Sequence, residues 1–136
     1  MFNFGSRSKA CLESVDPRLR TILKEALKHS YVDFGITEGY RDQATQDQYH
    51  AEGKSTKKYP EGKHNRVPSE AVDVICYVKG KATYDIKYYI YLYGLLTGIA
   101  GTLDLAIRSG LDWDRDGEIM TDQTLQDGCH FELATL

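Results

Sequence analysis

The stretch GKHNRVPSEAVDVICY, residues 62–77, joins a loop that carries a histidine to a segment with strand periodicity. Polarity alternates along residues 69–77, which predicts a β-strand. One face of this strand would carry Ala71, Asp73 and Ile75, and the other Val72, Val74 and Cys76. An aspartate in such an apolar strand is costly to bury without a partner. A metal ion shared by Asp73 and the loop histidine His64 would supply that partner.

A second histidine lies far downstream in DGCHFEL, residues 127–133, whose last four residues are predicted to form a final strand. Catalytic zinc sites commonly use three protein ligands and leave one position open. Histidine nitrogens and a carboxylate oxygen suit zinc. His64, Asp73 and His130 meet that count. Four histidines are nevertheless an ordinary number for 136 residues, so the spacing by itself indicates a candidate site and no more.

The composition predicts one globular domain that spans residues 1–136. A hydrophobic fraction of 41% and a charged fraction of 27% are ordinary for such a domain. The net charge of -3 argues against a protein that binds nucleic acid electrostatically. The three cysteines, Cys11, Cys76 and Cys129, include no short-spaced pair and are predicted to be free thiols in a reducing cytosol. The N-terminal residues lack the apolar core of a secretory signal, and no separate wall-binding domain is predicted.

Local patterns predict the elements around the opening stretch. Asp16 and Pro17 begin an amphipathic helix that ends near Ser30. The other predicted elements are a strand over residues 34–37, a polar helix over 42–52, a loop over 53–66 and a long apolar helix over 84–107. Long loops inside a small domain are often functional, which draws attention to His64.

The apolar helix is a possible membrane span by length and charge alone. Its tyrosines and glycines lower its hydrophobicity, so we expect it to be buried against a sheet and not inserted in a membrane. Gly94, Gly98 and Gly101 are expected to allow another backbone to approach closely.

An acidic segment, DWDRDGEI, spans residues 112–119. Its carboxylates at positions 1, 3 and 5 and its glycine at position 6 match the start of an EF-hand calcium loop. The calcium-binding residues would be Asp112, Asp114, Asp116 and Glu118. Gln123 stands where the bidentate glutamate belongs, although the adjacent Asp122 could replace it. A calcium site and a solvated acidic turn both remain open.

Three motifs occur in order along the chain: EGYR at residues 38–41, GKHNRVPSEAVDV at 62–74 and DGCHFEL at 127–133. Their content and order resemble the zinc D-Ala-D-Ala carboxypeptidase and L-alanyl-D-glutamate endopeptidase family, especially its bacteriophage endolysins. The likeness extends to FNFGSRS, LESVDPRLRTILKEAL and IRSGLDWDRDGE, and so to nearly the whole chain. It implies an α+β, hedgehog-like fold in which a small antiparallel sheet carries a zinc site and helices cover one face.

The resemblance also implies roles for individual residues. The zinc ligands fall on His64, Asp73 and His130. The catalytic carboxylate, three residues before the last histidine, falls on Asp127. Arg41, at the end of the strand before the metal loop, would stabilise an oxyanion or hold a substrate carboxylate.

The metal loop departs from the family pattern in two places. Asp73 lies nine positions after His64, where many family members have a spacing of seven, so Glu70 is the alternative ligand. Gly62 stands where many family members have serine, which affects a hydrogen bond near the metal.

Two neighbours of His130 have predicted roles of their own. Cys129 should point to the opposite face of an extended strand and be a buried bystander. Glu132 would either accept a hydrogen bond from a ligand histidine or lie on the surface.

The implied activity is hydrolysis of the L-alanyl–D-glutamate bond in peptidoglycan stem peptides, by a monomeric, zinc-dependent phage endolysin. Such an enzyme would stay in the host cytoplasm until lysis and then reach the periplasm and cell wall. One alternative is a carboxypeptidase that removes terminal D-alanine. The other is a non-catalytic wall-binding or virion component, against which the presence of Asp127 argues.

Overall fold

Helices and short strands alternate along the computed structural model, which describes residues 2–119 and 127–136. The helices are α1 Ser6–Glu13, α2 Pro17–His29, α3 Gln43–Ala51 and α4 Ile86–Thr102, with a 3-10 turn at Lys63–Asn65. The strands are β1 Asp33–Glu38, β2 Ala71–Val78, β3 Lys81–Thr83, β4 Ala106–Gly110 and β5 Asp127–Ala134.

The strands form one antiparallel sheet, which confirms the predicted α+β class. Its order is β1-β2-β5-β4, and β3 pairs with β2. The alternation along β2 is also confirmed, because Val72, Val74 and Cys76 belong to the apolar core while Asp73 does not. Phe131 and Leu133 of β5 join the same core. The opposite face of β2 and β5 is therefore left for polar side chains.

Helix α2 covers the core face as predicted. The side chain of Asp16 accepts a hydrogen bond from the Arg18 backbone amide at 2.9 Å and so caps the helix. The apolar side chains of α2 recur at helical spacing and are buried: Leu19, Ile22, Leu23, Ala26 and Leu27. Burial of each such leucine or isoleucine contributes about 1.5–3 kcal/mol.

The prediction of one helix over residues 84–107 is wrong at its C-terminal end. Helix α4 ends at Thr102, and Asp104 adopts a positive φ of 57°. Residues 106–110 then form β4, in which Ile107 pairs with Leu133. A continuous apolar run has no periodicity that separates a buried helix from a buried strand. Pairing with β5 decides the conformation here.

The predicted close approach at the glycines of α4 is also wrong. Gly94, Gly98 and Gly101 are exposed, and a Cβ atom added to any of them would meet no heavy atom within 4 Å. Within the described residues, no helix combines the length and apolar character that a membrane span requires.

Candidate active site

Asp73 and His130 face each other across the polar side of the sheet. They are direct partners in the β2–β5 ladder, next to the core-facing pair Val72 and Phe131. The Nδ1 atom of His130 lies 3.6 Å from Oδ1 of Asp73. The predicted strand alternation therefore places two of the three expected ligands side by side.

His64 reaches the same carboxylate from the 3-10 turn. Its Nδ1 donates a hydrogen bond to the Gly39 carbonyl oxygen at 2.8 Å, which leaves Nε2 3.3 Å from Oδ1 of Asp73. Gly39 has no room for a side chain, because an added Cβ would lie 2.5 Å from Ser14 Oγ and 2.8 Å from the Cys11 carbonyl oxygen. This close packing fixes the carbonyl that orients His64.

The three side chains fit a metal ion. Nε2 of His64 and Oδ1 of Asp73 are buried without a hydrogen-bond partner. One donor atom from each of His64, Asp73 and His130 lies within 4.8 Å of the others. Tetrahedral zinc with bonds of about 2 Å separates its ligand atoms by roughly 3.3 Å, close to the spacings described above. The alternative ligand Glu70 instead pairs with Arg66 at 2.9 Å.

The charges of these groups are strongly coupled. Burial would raise the pKa of Asp73, but electrostatic attraction to the adjacent imidazole groups of His130 and His64 holds it well below its usual range. Burial would lower the pKa of His130, but Asp73 and Glu132 raise it to about 9. In the metal-free protein His130 is therefore protonated at neutral pH. A metal ion has to displace that proton, so metal affinity should increase as the pH rises.

Arg41 lies beneath Asp73 and is only 9% exposed. Its guanidinium group pairs with Glu38 and lies 3.5 Å from Oδ2 of Asp73. Its NH1 group donates to Oε1 of Gln46 at 3.0 Å. These contacts orient the metal-facing carboxylate. A direct contact between Arg41 and substrate stays a prediction.

Gln46 is a site residue that the sequence did not reveal. It lies on the helix that was predicted only as polar, which gives no reason to expect burial, yet it is fully buried. Its amide nitrogen donates to Ser55 Oγ at 3.0 Å and to the Lys57 carbonyl oxygen at 2.7 Å, which ties α3 to the metal loop. One sequence signal could have drawn attention to Gln46: it lies three residues before Tyr49, and residues three apart lie on the same face of a helix. The Tyr49 ring also contacts Arg41, 4.6 Å from the guanidinium carbon.

Asp127 begins β5 beside the three candidate ligands. Its backbone packs so tightly on Gly110 that a Cβ there would lie 2.0 Å from the Asp127 carbonyl oxygen. In the β4–β5 ladder, Ser109 pairs with Phe131 and Gly110 pairs with Asp127, so residues 128–130 form a bulge on the β4 side of β5. This bulge directs the Asp127 carboxylate to within 4.8 Å of the Asp73 carboxylate.

The same bulge corrects the prediction for Cys129. Its thiol does not face away from the site but lies 3.1 Å from Oδ1 of Asp127, because strand alternation fails where the register shifts. Burial, together with the charges of Asp73 and Asp127, raises the pKa of this thiol well above its usual range. The thiol is therefore protonated and donates to Asp127.

A groove of about 950 Å³ crosses the site. The Trp113 ring lies 5.3 Å from the His130 ring and forms part of one wall. Basic side chains line much of the rest: Lys54, Lys57, Lys63, Arg66 and Arg108. Acidic side chains line the groove as well, and Lys63 and Arg108 pair with Glu132, so the exposed positive charge in the groove comes from Lys54, Lys57 and Arg66.

The acidic segment also gathers oxygen atoms. Carboxylate oxygens of Asp112, Asp114 and Asp116 lie within 4.8 Å of one another, whereas Glu118 is not part of this group. Gly117 has a positive φ of 87°, the conformation expected of a loop glycine. The segment follows strand β4 and not the first helix that an EF-hand requires. The possible last ligands, Asp122 and Gln123, lie outside the described residues.

Known proteins are similar to this chain in sequence and in fold. A family model described as phage L-alanyl-D-glutamate peptidase matches residues 1–134. The L-alanyl-D-glutamate peptidase of Escherichia phage T5 is 30% identical over 135 residues, which cover 97% of this chain and 98% of that protein. The crystal structure of Serratia marcescens L-Ala D-Glu endopeptidase ChiX aligns with a TM-score of 0.79 at 26% identity, covering 97% of this chain and 90% of that one. Since the family match spans nearly the full length, this chain belongs to the phage L-alanyl-D-glutamate peptidase family.

Proposed function

We propose that the protein is a zinc-dependent peptidase that cleaves the L-alanyl–D-glutamate bond of peptidoglycan stem peptides. One observation carries this proposal: donor atoms of His64, Asp73 and His130 converge next to the Asp127 carboxylate. Two of these atoms, His64 Nε2 and Asp73 Oδ1, are buried without a hydrogen-bond partner. Family membership supports the bond that is cleaved, and the two-nitrogen, one-oxygen donor set supports zinc.

The residues around the metal position suit amide hydrolysis. Zinc held by His64, Asp73 and His130 would supply Lewis acidity. Asp127 would accept a proton from the attacking water at Oδ2 and deliver it to the leaving nitrogen of D-glutamate. The Cys129 thiol, which donates to the other oxygen of Asp127, restricts rotation of that carboxylate.

The charge of the groove supports an anionic substrate. Stem peptides carry free carboxylates on D-glutamate and on later residues, whereas the protein as a whole has a net charge of -3. The basic side chains along the groove would attract these carboxylates despite the unfavourable overall charge. This fits peptidoglycan as substrate and gives no reason to expect a nucleic-acid partner.

The biological setting that we propose is host lysis. The phage T5 relative is an L-alanyl-D-glutamate peptidase of a bacteriophage. By analogy this chain would act as a monomeric endolysin that remains in the host cytoplasm until lysis and then reaches the cell wall.

Digestion of purified peptidoglycan should test the reaction directly. We expect zinc-loaded enzyme to release peptides that begin with D-glutamate and to leave L-alanine on the glycan, as measured by mass spectrometry. A chelator should abolish both products, and added zinc should restore them. Release of only terminal D-alanine would instead show the carboxypeptidase, and no product from zinc-loaded protein would favour a non-catalytic wall-binding component.

We also propose that the acidic segment binds calcium through Asp112, Asp114 and Asp116. Calorimetric titration should then show a dissociation constant below about 1 mM. Asp116→Asn should weaken binding at least tenfold, because it removes one charged oxygen ligand. Asp104→Asn is the matched control, since asparagine tolerates the positive φ at that exposed position. Absence of heat in the wild-type titration at millimolar calcium would leave only a solvated acidic turn.

A further inference from the structure

Glu132 is a carboxylate buried behind the candidate metal centre, with 4% of its surface exposed. We propose that Glu132 is a positioning residue that fixes the ring of His130 and ties the metal loop to β5. The inference rests on the proposed metal site but concerns a residue outside the proposed set of metal ligands.

The first contact sets the orientation of His130. Oε1 of Glu132 lies 2.8 Å from Nε2 of His130. A carboxylate can only accept at this distance, so Nε2 carries a hydrogen, and the proton that a metal ion has to displace from His130 is the one on Nδ1. Nδ1 is the atom that faces Asp73. Glu132 therefore selects which nitrogen of His130 is available to a metal ion.

The second contact reaches the loop that carries His64. Oε2 of Glu132 lies 3.1 Å from Nζ of Lys63, which also donates to the Leu133 carbonyl oxygen. Lys63 is the residue directly before His64, and its own carbonyl oxygen accepts a hydrogen bond from the Glu70 amide at 3.1 Å. One carboxylate thus connects both histidine-bearing segments.

A third contact satisfies the charge of Glu132. The NH2 group of Arg108 on β4 donates to Oε2 at 2.8 Å. A buried carboxylate is costly unless it is paired and hydrogen-bonded. Lys63, Arg108 and His130 meet that requirement from three separate elements. Among the described residues, the side chains of Lys63 and Arg108 both pair with Glu132, so we expect their effect on the metal to pass through Glu132.

Metal affinity measures this role without relying on catalysis. Against a competing chelator, Glu132→Gln should bind zinc about 10–100-fold more weakly than wild type. Glu25→Gln is the matched control, because Glu25 is an ion-paired glutamate on α2, outside the groove; its zinc affinity should equal that of wild type. Equal affinities of Glu132→Gln and wild type would overturn the proposal.

A measurement on wild-type protein covers the case in which Glu132→Gln does not fold. Histidine side chains labelled with nitrogen-15, in protein loaded with cadmium-113, should show metal coupling to Nδ1 of His130 and a retained proton on its Nε2. Coupling to Nε2 of His130 would overturn the proposal even though the metal site exists. Wild-type protein that binds neither zinc nor cadmium would overturn the proposed metal site itself, which is a different result.

Discussion

Asp127→Asn should lower kcat/KM for stem-peptide hydrolysis by about 10²–10⁴-fold while zinc affinity stays at the wild-type value. Asparagine keeps the shape of the side chain and can still accept from the Cys129 thiol, but it cannot take a proton from water at neutral pH. Asp127 is also not among the three side chains that converge on the metal position. The variant therefore separates proton transfer from metal binding.

The measurement compares release of D-glutamate-terminated peptides with zinc binding in the same protein preparation. Asp47→Asn is the matched control, because Asp47 is an exposed aspartate on α3, outside the groove. It should retain wild-type activity. Activity of Asp127→Asn within threefold of wild type would remove Asp127 from its catalytic role, and a loss of zinc binding would make it a ligand.

The sequence could predict that His64, Asp73 and His130 converge because their placement depends on local rules. Period-two alternation puts Asp73 on the polar face of β2, and antiparallel pairing with β5 then brings His130 opposite to it. Motif order supplied the positions of Asp127 and Arg41. Even the longer loop did not shift the register, because Asp73 stays in the strand and Glu70 pairs outside the cluster.

Other features depend on tertiary contacts that no local pattern encodes. The bulge that turns Cys129 toward Asp127 arises from the register shift opposite Gly110, which is a property of two strands together. Gln46 is polar on a polar helix, and its burial depends on partners elsewhere in the chain, namely Arg41, Ser55 and Lys57. The end of α4 is decided by pairing of Ile107 with β5.

Asp73→Asn should abolish detectable zinc binding and with it peptidase activity. The charged oxygen that both histidines face would be lost, and an asparagine amide is a poor zinc ligand. Chelator competition and peptide release should show the loss, and Glu70→Gln should show none. If instead Glu70→Gln loses zinc and Asp73→Asn retains it, the alternative ligand assignment is the correct one.

Asp73→Asn should also lower the free energy of unfolding of the metal-free protein. A residue whose only role is to bind the metal would not have this effect. Without the Asp73 carboxylate, Arg41 still pairs with Glu38, but His64 and His130 lose the anion that both of them face. Breaking a buried ionic network of this kind costs about 3–5 kcal/mol. Because the folded-state pKa of Asp73 is lowered, its contribution is complete above the unfolded pKa of about 4 and is lost as the pH falls. Urea unfolding of chelator-treated protein should therefore show a large gap between wild type and Asp73→Asn at pH 7 that narrows toward pH 3. A constant gap across that range would mean that packing, and not the charge of Asp73, stabilises the site.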